Sequence, residues 1–285
     1  MTDDLRSQAI DLYDRFTHEG MERRAFMGRM IALAGSVAAA EALIASIAAS
    51  PAAAAVVPEN DKRLTTGMRR VAGYRAYVAE PRTRSLKPTV LVIHENRGLN
   101  AHIRDVARRL ALAGYRAVAP DLLTPSGGTP ADEDAAREAI GKLDRAAATR
   151  GGVAMLKALT PSSRGGKVGA IGFCWGGAYV NSLAVAAGPA LDAGVVYYGP
   201  APDPSEAAKV RAPLLIHHAG LDTRVAQTLI PWVKALRKAG RPVAYYGYEG
   251  ANHAFNNDTS AERYNKAAAE LAWRRTLIFF KRTLA

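Results

Sequence analysis

Residues 171–178 read IGFCWGGA, which contains the spacing Gly-x-Cys-x-Gly, with cysteine where this spacing ordinarily carries serine. An apolar run at 167–171 precedes the stretch, and a run of small residues at helical spacing follows it at 176–187. The pattern predicts a buried strand, a sharp turn and a helix that packs close to the sheet.

The turn itself predicts a nucleophile at Cys174. A sharp strand-to-helix turn holds its central residue in a strained backbone conformation, and side chains at Gly172 and Gly176 would clash there. The N-terminus of the following helix favours a thiolate, and the backbone N–H of Trp175 is placed to bind an oxyanion. The alternative reading is that Cys174 is a small apolar residue in a glycine-rich connection.

The chain beyond the first sixty residues alternates between strand and helix patterns. We predict further strands at 71–78, 89–93, 115–119, 193–198, 213–217 and 242–248, and helices at 101–113, 131–148, 151–159, 225–239 and 261–284. Such alternation predicts an α/β fold, a mainly parallel sheet with helices on both faces. Ligands bind such sheets beyond the carboxyl ends of the strands, so the loops after strands are where a site is expected.

Two further residues that follow strands are candidates for the acid and the base that would assist a nucleophile at Cys174. Asp222 lies just after the strand 213–217, and His253 lies just after the strand 242–248. The chain order Cys174, Asp222, His253 is that of nucleophile, acid and histidine in the α/β-hydrolase fold. Taken singly, Asp222 has the simpler reading of a helix N-cap, and His253 that of an exposed loop residue.

Composition excludes several other classes of protein. The net charge is +12, but the basic residues are scattered and occur at most in pairs, so we predict no nucleic-acid partner. A single cysteine excludes an intrachain disulfide framework, and no Cys/His group has zinc-site spacing, so we predict no metal. The histidines at 94, 102, 217 and 218 have no spacing that indicates a metal centre.

Residues 1–55 are predicted to be an export signal. The basic pair Arg23-Arg24 precedes an Ala-rich apolar stretch at 30–49, and small residues follow it. Phenylalanine two positions beyond the arginines makes the segment similar to the twin-arginine signal, which serves proteins exported already folded. Cleavage near Ala54 or Ala55 would leave residues 56–285 as one periplasmic domain.

Other readings of the same segment stay open. Residues 2–20 are amphipathic, so the N-terminus could be an ordinary helix of a cytoplasmic protein or a membrane anchor. Glu41 inside an alanine-rich stretch makes a stable transmembrane span a poor interpretation.

The residues after the strands resemble those of the dienelactone hydrolase family of α/β-hydrolases, over about residues 65–285. The resemblance is carried by VIHENRGLN (92–100), YRAVAPDLL (115–123), KVGAIGFCWGG (167–177), VVYYG (195–199), HHAGLD (217–222) and GANHAF (250–255). It implies a cysteine nucleophile at Cys174, with Asp222 and His253 as its partners. It also implies that Glu95 controls the proton of the resting cysteine and that the N–H of Asn96 completes the oxyanion hole. The alternative for Glu95 is a salt bridge to Arg97.

The sequence departs from the family pattern where the substrate carboxylate is expected to bind. The family uses two arginines and a tyrosine; Arg137 matches the first arginine, but Gly141 stands at the position of the tyrosine and Asn257 at that of the second arginine. We therefore expect weak activity on dienelactone. Arg97 and Tyr198 are the candidate replacements for binding a small substrate.

The predicted function is hydrolysis of a small ester or lactone through a thioester on Cys174, with no cofactor. The expected partners are a small-molecule substrate and, for the precursor, the export machinery. The alternatives are a cysteine thioesterase or peptidase on the same fold, and a non-catalytic binding module.

Overall fold

The computed structural model describes residues 3–48, 55–83, 85 and 87–284, and within them eight strands form one sheet. The strands are β1 Leu64–Val71, β2 Tyr74–Pro81, β3 Thr89–Ile93, β4 Arg116–Pro120, β5 Val168–Phe173, β6 Ala193–Tyr197, β7 Leu214–Ala219 and β8 Val243–Tyr248. Their order across the sheet is β1-β2-β4-β3-β5-β6-β7-β8. The strands from β3 to β8 run parallel, and β1 and β2 are antiparallel additions at one edge.

The strand order reverses at β3, which has β4 on one side and β5 on the other. The chain therefore leaves the sheet in opposite directions after β3 and after β5. A crevice opens at such a switch point, beyond the carboxyl ends of the two strands. Glu95 follows β3 and Cys174 follows β5, so the sheet topology alone brings these two residues to one place.

Helices cover both faces of the sheet, as predicted. The helices are α1 Asp3–His18, α2 Arg23–Ala34, α3 Val37–Ile47, α4 Ala101–Leu112, α5 Glu133–Gly141, α6 Arg145–Leu159, α7 Trp175–Ala186, α8 Thr223–Lys238 and α9 Lys266–Leu284. Ile103 of α4 and Phe280 of α9 are buried on one face. Leu156 of α6, Val180 of α7 and Trp232 of α8 are buried on the other. Central strands such as β3 are buried along their whole length, which is why they read as continuous apolar runs.

The predicted strand at 71–78 is wrong, because it runs through a hairpin turn. Ala72 and Gly73 have φ of 47° and 86°, and they join β1 to β2 as a two-residue turn. Positive φ at both turn residues matches the twist of a hairpin. The apolar alternation continues through the turn, so periodicity alone did not separate the two strands.

Two helix boundaries also differ from the prediction. The break between α5 and α6 falls at 142–144 rather than at 149–150, because the Asp144 side chain accepts hydrogen bonds from the N–H groups of Ala146 and Ala147 and starts α6. The last helix begins at Lys266 rather than at 261, after Asn265 accepts a hydrogen bond from the Ala268 N–H.

The N-terminal helices α1, α2 and α3 form a third, separate core. Its buried apolar residues all come from these helices: Ala9, Ile10, Leu12, Tyr13, Phe16, Phe26, Met30, Ala40, Leu43 and Ile47. In the described part of the chain no single helix is long and apolar enough to cross a membrane. Together, α2 and α3 have the length and composition of a membrane-crossing segment, but the chain bends by 106° between them. The expected cleavage site lies near Ala54 or Ala55, and Ala54 belongs to residues 49–54, which lie outside the described residues.

Candidate active site

Cys174 lies on a sharp turn between β5 and α7, and its backbone is strained. Its φ is 54° and its ψ is −115°, in the left-handed half of conformational space that side chains rarely adopt. The turn is tight: a Cβ on Gly172 would lie 2.1 Å from the carbonyl oxygen of Gly176, and a Cβ on Gly176 would lie 2.4 Å from that of His94. The steric reason given for the two glycines is therefore found in the structure.

Asp222 fills both of the roles that its position suggested. One carboxylate oxygen, Oδ1, accepts a hydrogen bond of 3.0 Å from the Val225 N–H and caps α8. The other, Oδ2, lies 2.5 Å from Nδ1 of His253. The cap holds the carboxylate still, and the carboxylate in turn fixes the orientation of the imidazole.

His253 is buried, and the second nitrogen of its ring faces the cysteine. Nδ1 donates its proton to Asp222, so Nε2 points the other way, and a ring nitrogen of His253 lies within 4.8 Å of the Cys174 sulfur. Within the described residues, Nε2 has no hydrogen-bond partner by distance and angle. A buried nitrogen without a partner, next to a cysteine, is what a proton acceptor for a thiol requires.

The charges around His253 favour the protonated form of its ring. Burial alone would lower the pKa of His253, but the charges of Cys174 and Asp222 raise this pKa to about 10. Burial would raise the pKa of Asp222, yet the positive charge of His253 and their hydrogen bond lower it to about 2. Asp222 is thus a carboxylate at neutral pH and stabilises the protonated imidazole.

Glu95 is held at the same site by Asn257. The residue is 8% exposed, and its Oε2 accepts a hydrogen bond of 2.9 Å from the Asn257 side-chain amide. The alternative of a salt bridge to Arg97 is wrong, because Arg97 pairs with Glu133 instead. The residue that stands where the family pattern has an arginine therefore positions the carboxylate beside Cys174.

The residues predicted for the oxyanion hole lie beside the cysteine. Trp175 is the first residue of α7, and its indole ring stacks between His94 and Tyr179. Asn96 lines the same small cavity as Cys174, and its side chain donates a hydrogen bond of 3.4 Å to the Thr17 carbonyl. The roles of the two backbone N–H groups stay predictions.

Of the three residues predicted to bind substrate, Arg97 lines the cavity beside Cys174, and Arg137 and Tyr198 do not. Arg97 lines the cavity, with its Nη2 2.6 Å from the Tyr13 hydroxyl. Arg137 on α5 donates a hydrogen bond of 3.3 Å to the Phe16 carbonyl and lies over the Phe16 ring. Tyr198 is fully buried, with its ring 5.1 Å from that of His253, so it supports the imidazole from behind rather than lining the cavity.

His18, at the end of α1, contacts the cysteine and was missed by sequence reasoning. Its Nε2 lies 3.1 Å from the Cys174 sulfur, and its ring stands edge-on to that of His253 at 4.7 Å. The amphipathic pattern of 2–20 was the available indication that this helix packs against something. No pattern in the chain indicates which part of the protein it meets.

The space beside the nucleophile is small. The cavity there has a volume of about 20 Å³ and is lined by Cys174, His253 and Glu95 on one side and by Tyr13, Thr17 and His18 of α1 on the other. A single water molecule needs about 10–15 Å³ on this scale. The cavity therefore has room for about one water molecule while α1 is in place.

One group among the described residues has the geometry of a metal site. A ring nitrogen of His18, the sulfur of Cys174 and a ring nitrogen of His253 all lie within 4.8 Å of one another. Imidazole and thiolate are ligands that zinc accepts. The same three atoms include the expected nucleophile and base, so their proximity has a catalytic explanation, and we assign no ion to them.

Comparison with known proteins agrees with this site. A model of the dienelactone hydrolase family matches residues 74–284. A candidate carboxymethylenebutenolidase of Escherichia coli O157:H7 is 32% identical over 254 residues, which cover 82% of this chain and 93% of that protein. The crystal structure of a candidate dienelactone hydrolase from Klebsiella pneumoniae has a TM-score of 0.70 at 28% identity and covers 77% of this chain and 99% of its own.

A second solved structure widens the range of chemistry among the relatives. A dienelactone hydrolase-like promiscuous phosphotriesterase from metagenomic libraries is 27% identical, with a TM-score of 0.68, and covers 78% of this chain and all of its own, 100%. The fold, the strand-to-helix turn and these relatives define an α/β-hydrolase. More particularly, the chain belongs to the dienelactone hydrolase family, and the predictions of that fold and of a carboxylic ester or lactone hydrolase are confirmed.

Proposed function

We propose that this hydrolase cleaves small esters or lactones through Cys174, with His253 as base and acid and Asp222 as the group that orients His253. One observation carries the proposal: a buried Asp222–His253 pair of 2.5 Å beside a cysteine held on a strained turn. This is the arrangement of an activated nucleophile.

In the acylation step, the Cys174 sulfur attacks the substrate carbonyl carbon. The negative charge on the carbonyl oxygen is stabilised by the backbone N–H groups of Trp175 and Asn96. The carbon–oxygen bond to the alkoxide breaks, and the protonated His253 gives its proton to that leaving oxygen. The product is a thioester on Cys174, while the alcohol leaves, or stays attached at its other end if the substrate is a lactone.

In the second step, water hydrolyses the thioester. His253, now neutral, takes a proton from the water molecule, and the resulting oxygen nucleophile attacks the thioester carbon. The carbon–sulfur bond breaks, the sulfur leaves as a thiolate, and the imidazolium–thiolate pair is restored. Asp222 keeps the Nδ1 proton of His253 in place through both steps, because its carboxylate stays ionised.

The substrate that fits this proposal is small and activated. Asn257 holds Glu95 and leaves the expected second arginine absent, so a substrate carboxylate would lose a charge-assisted hydrogen bond of about 1.5–3 kcal/mol. We expect turnover of p-nitrophenyl acetate and of small lactones, with dienelactone roughly ten- to a hundredfold less favoured than in an enzyme with both arginines. A panel of these compounds tests this; efficient turnover of dienelactone near the diffusion limit would contradict the substrate assignment.

We further propose that the chain is exported to the periplasm by the twin-arginine route. Arg24 is exposed, and Arg23 makes only a surface ion pair of 2.6 Å with Asp134. A double substitution, Arg23→Lys with Arg24→Lys, keeps both charges, so we expect the protein to fold and to accumulate uncleaved in the cytoplasm. Cell fractionation and mass spectrometry measure this, and normal processing of the double variant would overturn the proposal.

A further inference from the structure

The surface above Cys174 is occupied by a segment of the same chain. Helix α1 lies across the carboxyl ends of the strands, and the groups at the rim of the site bind it. Asn96 donates to the Thr17 carbonyl, Arg97 lies 2.6 Å from the Tyr13 hydroxyl, and Arg137 donates to the Phe16 carbonyl. Three residues that sequence reasoning assigned to the oxyanion hole and to substrate thus contact α1.

The contacts continue on the other side of the cysteine. Arg263 Nη1 lies 3.4 Å from the Asp14 carboxylate, and its guanidinium lies over the Tyr13 ring. The Arg263 Nε and the Ser260 hydroxyl donate hydrogen bonds of 3.1 Å and 2.6 Å to the Ile47 carbonyl at the end of α3. The first and third helices are therefore both attached to the segment that follows His253.

The chemistry of His18 suits a closed, resting state. Nδ1 of His18 lies 2.8 Å from the Asp14 carbonyl oxygen, which can only accept, so Nδ1 carries the proton. Burial and the positive charge of His253 lower the pKa of His18 well below its usual value, so the ring is neutral and Nε2 has a lone pair. This nitrogen lies 3.1 Å from the Cys174 sulfur, so the His18 ring covers the sulfur on the side of α1.

The N-terminal segment can leave without opening the two cores of the sheet. The buried apolar residues that α1, α2 and α3 share form their own cluster, and the two clusters that flank the sheet contain no described residue before Val57. The attachment between the segment and the sheet domain is mainly polar. Polar contacts of this kind are individually weak in water, which suits a reversible or removable cover.

We propose that the surface formed by Asn96, Arg97, Arg137 and Arg263 is a docking site for residues 3–48 of this chain, and that the docked segment closes the hydrolase until it is displaced or cut away. The consequence for turnover rests on the proposed function of Cys174; the docking itself does not. With α1 in place, the cavity of about 20 Å³ has no room for the acyl group of an ester. If export removes the segment, closing would keep the precursor inactive in the cytoplasm.

Alkylation of Cys174 by iodoacetamide tests the docking without any substrate, because Cys174 is the only cysteine in the chain. A protease recognition sequence inserted between Ala52 and Ala53 allows the full chain to be cut after it has folded. We expect alkylation to be at least tenfold faster after cutting and separation of the segment by gel filtration. We also expect faster alkylation of Cys174 in the uncut His18→Ala variant, since this variant removes the ring that covers the sulfur.

The matched control is Gln8→Ala, an exposed residue on the same helix, which should leave the alkylation rate unchanged. A peptide of residues 3–21, added to the cut and separated protein, should slow alkylation again, and the same peptide with His18→Ala should do so less. Equal alkylation rates in the uncut, cut and His18→Ala proteins would overturn the proposal. Faster alkylation without any ester hydrolysis would leave the docking standing and would contradict the proposed function instead.

Discussion

Cys174→Ala is expected to abolish ester hydrolysis, with a fall in kcat of about 10⁴-fold or more. Removing the nucleophile of a triad typically leaves only what substrate binding and the oxyanion hole supply. Alanine tolerates the strained turn no worse than cysteine does, because both carry a Cβ at the same positive φ of 54°. The rate is measured with p-nitrophenyl acetate, on the chain both before and after the N-terminal segment is cut away.

The control for this variant is its stability. Cys174 is 4% exposed, and replacing it by alanine removes one buried sulfur, which should cost no more than about 1–2 kcal/mol. A melting temperature within a few kelvin of the wild type would show that lost activity is chemical. Hydrolysis that persists in a folded Cys174→Ala protein would exclude Cys174 as the nucleophile.

Asp222→Asn is expected to lower kcat by roughly 10³- to 10⁴-fold. The amide leaves the geometry of the loop intact but can stabilise the wrong tautomer of His253. Asparagine is as good an N-cap as aspartate, so α8 should still begin at Thr223 and the protein should fold. Asp222→Ala provides the comparison: it should lose stability through the cap as well as activity. If Asp222→Asn retains the wild-type rate, the role of Asp222 as orienting group is contradicted.

The same variant has an expected effect on stability against pH. The pKa of His253 in the folded protein is about 10, above its ordinary value of 6.5, so the protonated ring stabilises the fold fully below pH 6.5 and this stabilisation is lost as the pH rises through 10. Asp222 is one of the charges that raise this pKa. In Asp222→Asn the melting temperature should therefore depend less steeply on pH between 6.5 and 10. If the melting temperature of Asp222→Asn depends on pH as steeply as that of the wild type in this range, the stabilising interaction between Asp222 and protonated His253 is contradicted.

The sequence allowed much of the fold to be predicted, because the central strands and their loops carry strong local patterns. The fully apolar run at 89–93, the glycine pair around Cys174 and the post-strand positions of Asp222 and His253 all reflect local constraints. The hairpin at Ala72-Gly73 and the break before Asp144 were missed because each is set by a single turn or cap, which periodicity averages away.

The contacts that His18 and Asn257 make in the site could not be predicted from local patterns, because each joins residues that are far apart in the chain. His18 is 156 residues from Cys174 along the chain, and Asn257 is 162 residues from Glu95. Nothing in either local pattern specifies its distant partner. Asn257 could be recognised as a departure from the family, yet its hydrogen bond to Glu95 became visible only in the structure.

The docked N-terminal helices also change how the predicted export signal is understood. As a leader, residues 1–55 would need only the arginine pair and an apolar stretch. The described part of this segment has in addition its own core and a set of contacts that converge on the nucleophile. These features suit a segment that covers the active site, whether or not it also serves as an export signal.

The most direct test of the central claim is to trap the acyl-enzyme. The protein, with its N-terminal segment cut and separated, is mixed with p-nitrophenyl butyrate, quenched in acid within milliseconds, digested and analysed by mass spectrometry, while nitrophenol release is followed in parallel. We expect a burst of nitrophenol approaching one equivalent of active sites, and a butyryl group on the peptide that contains Cys174 that hydroxylamine releases as expected for a thioester. Turnover accompanied by an acyl group on another residue, or unaffected by blocking Cys174 with iodoacetamide, would contradict the claim.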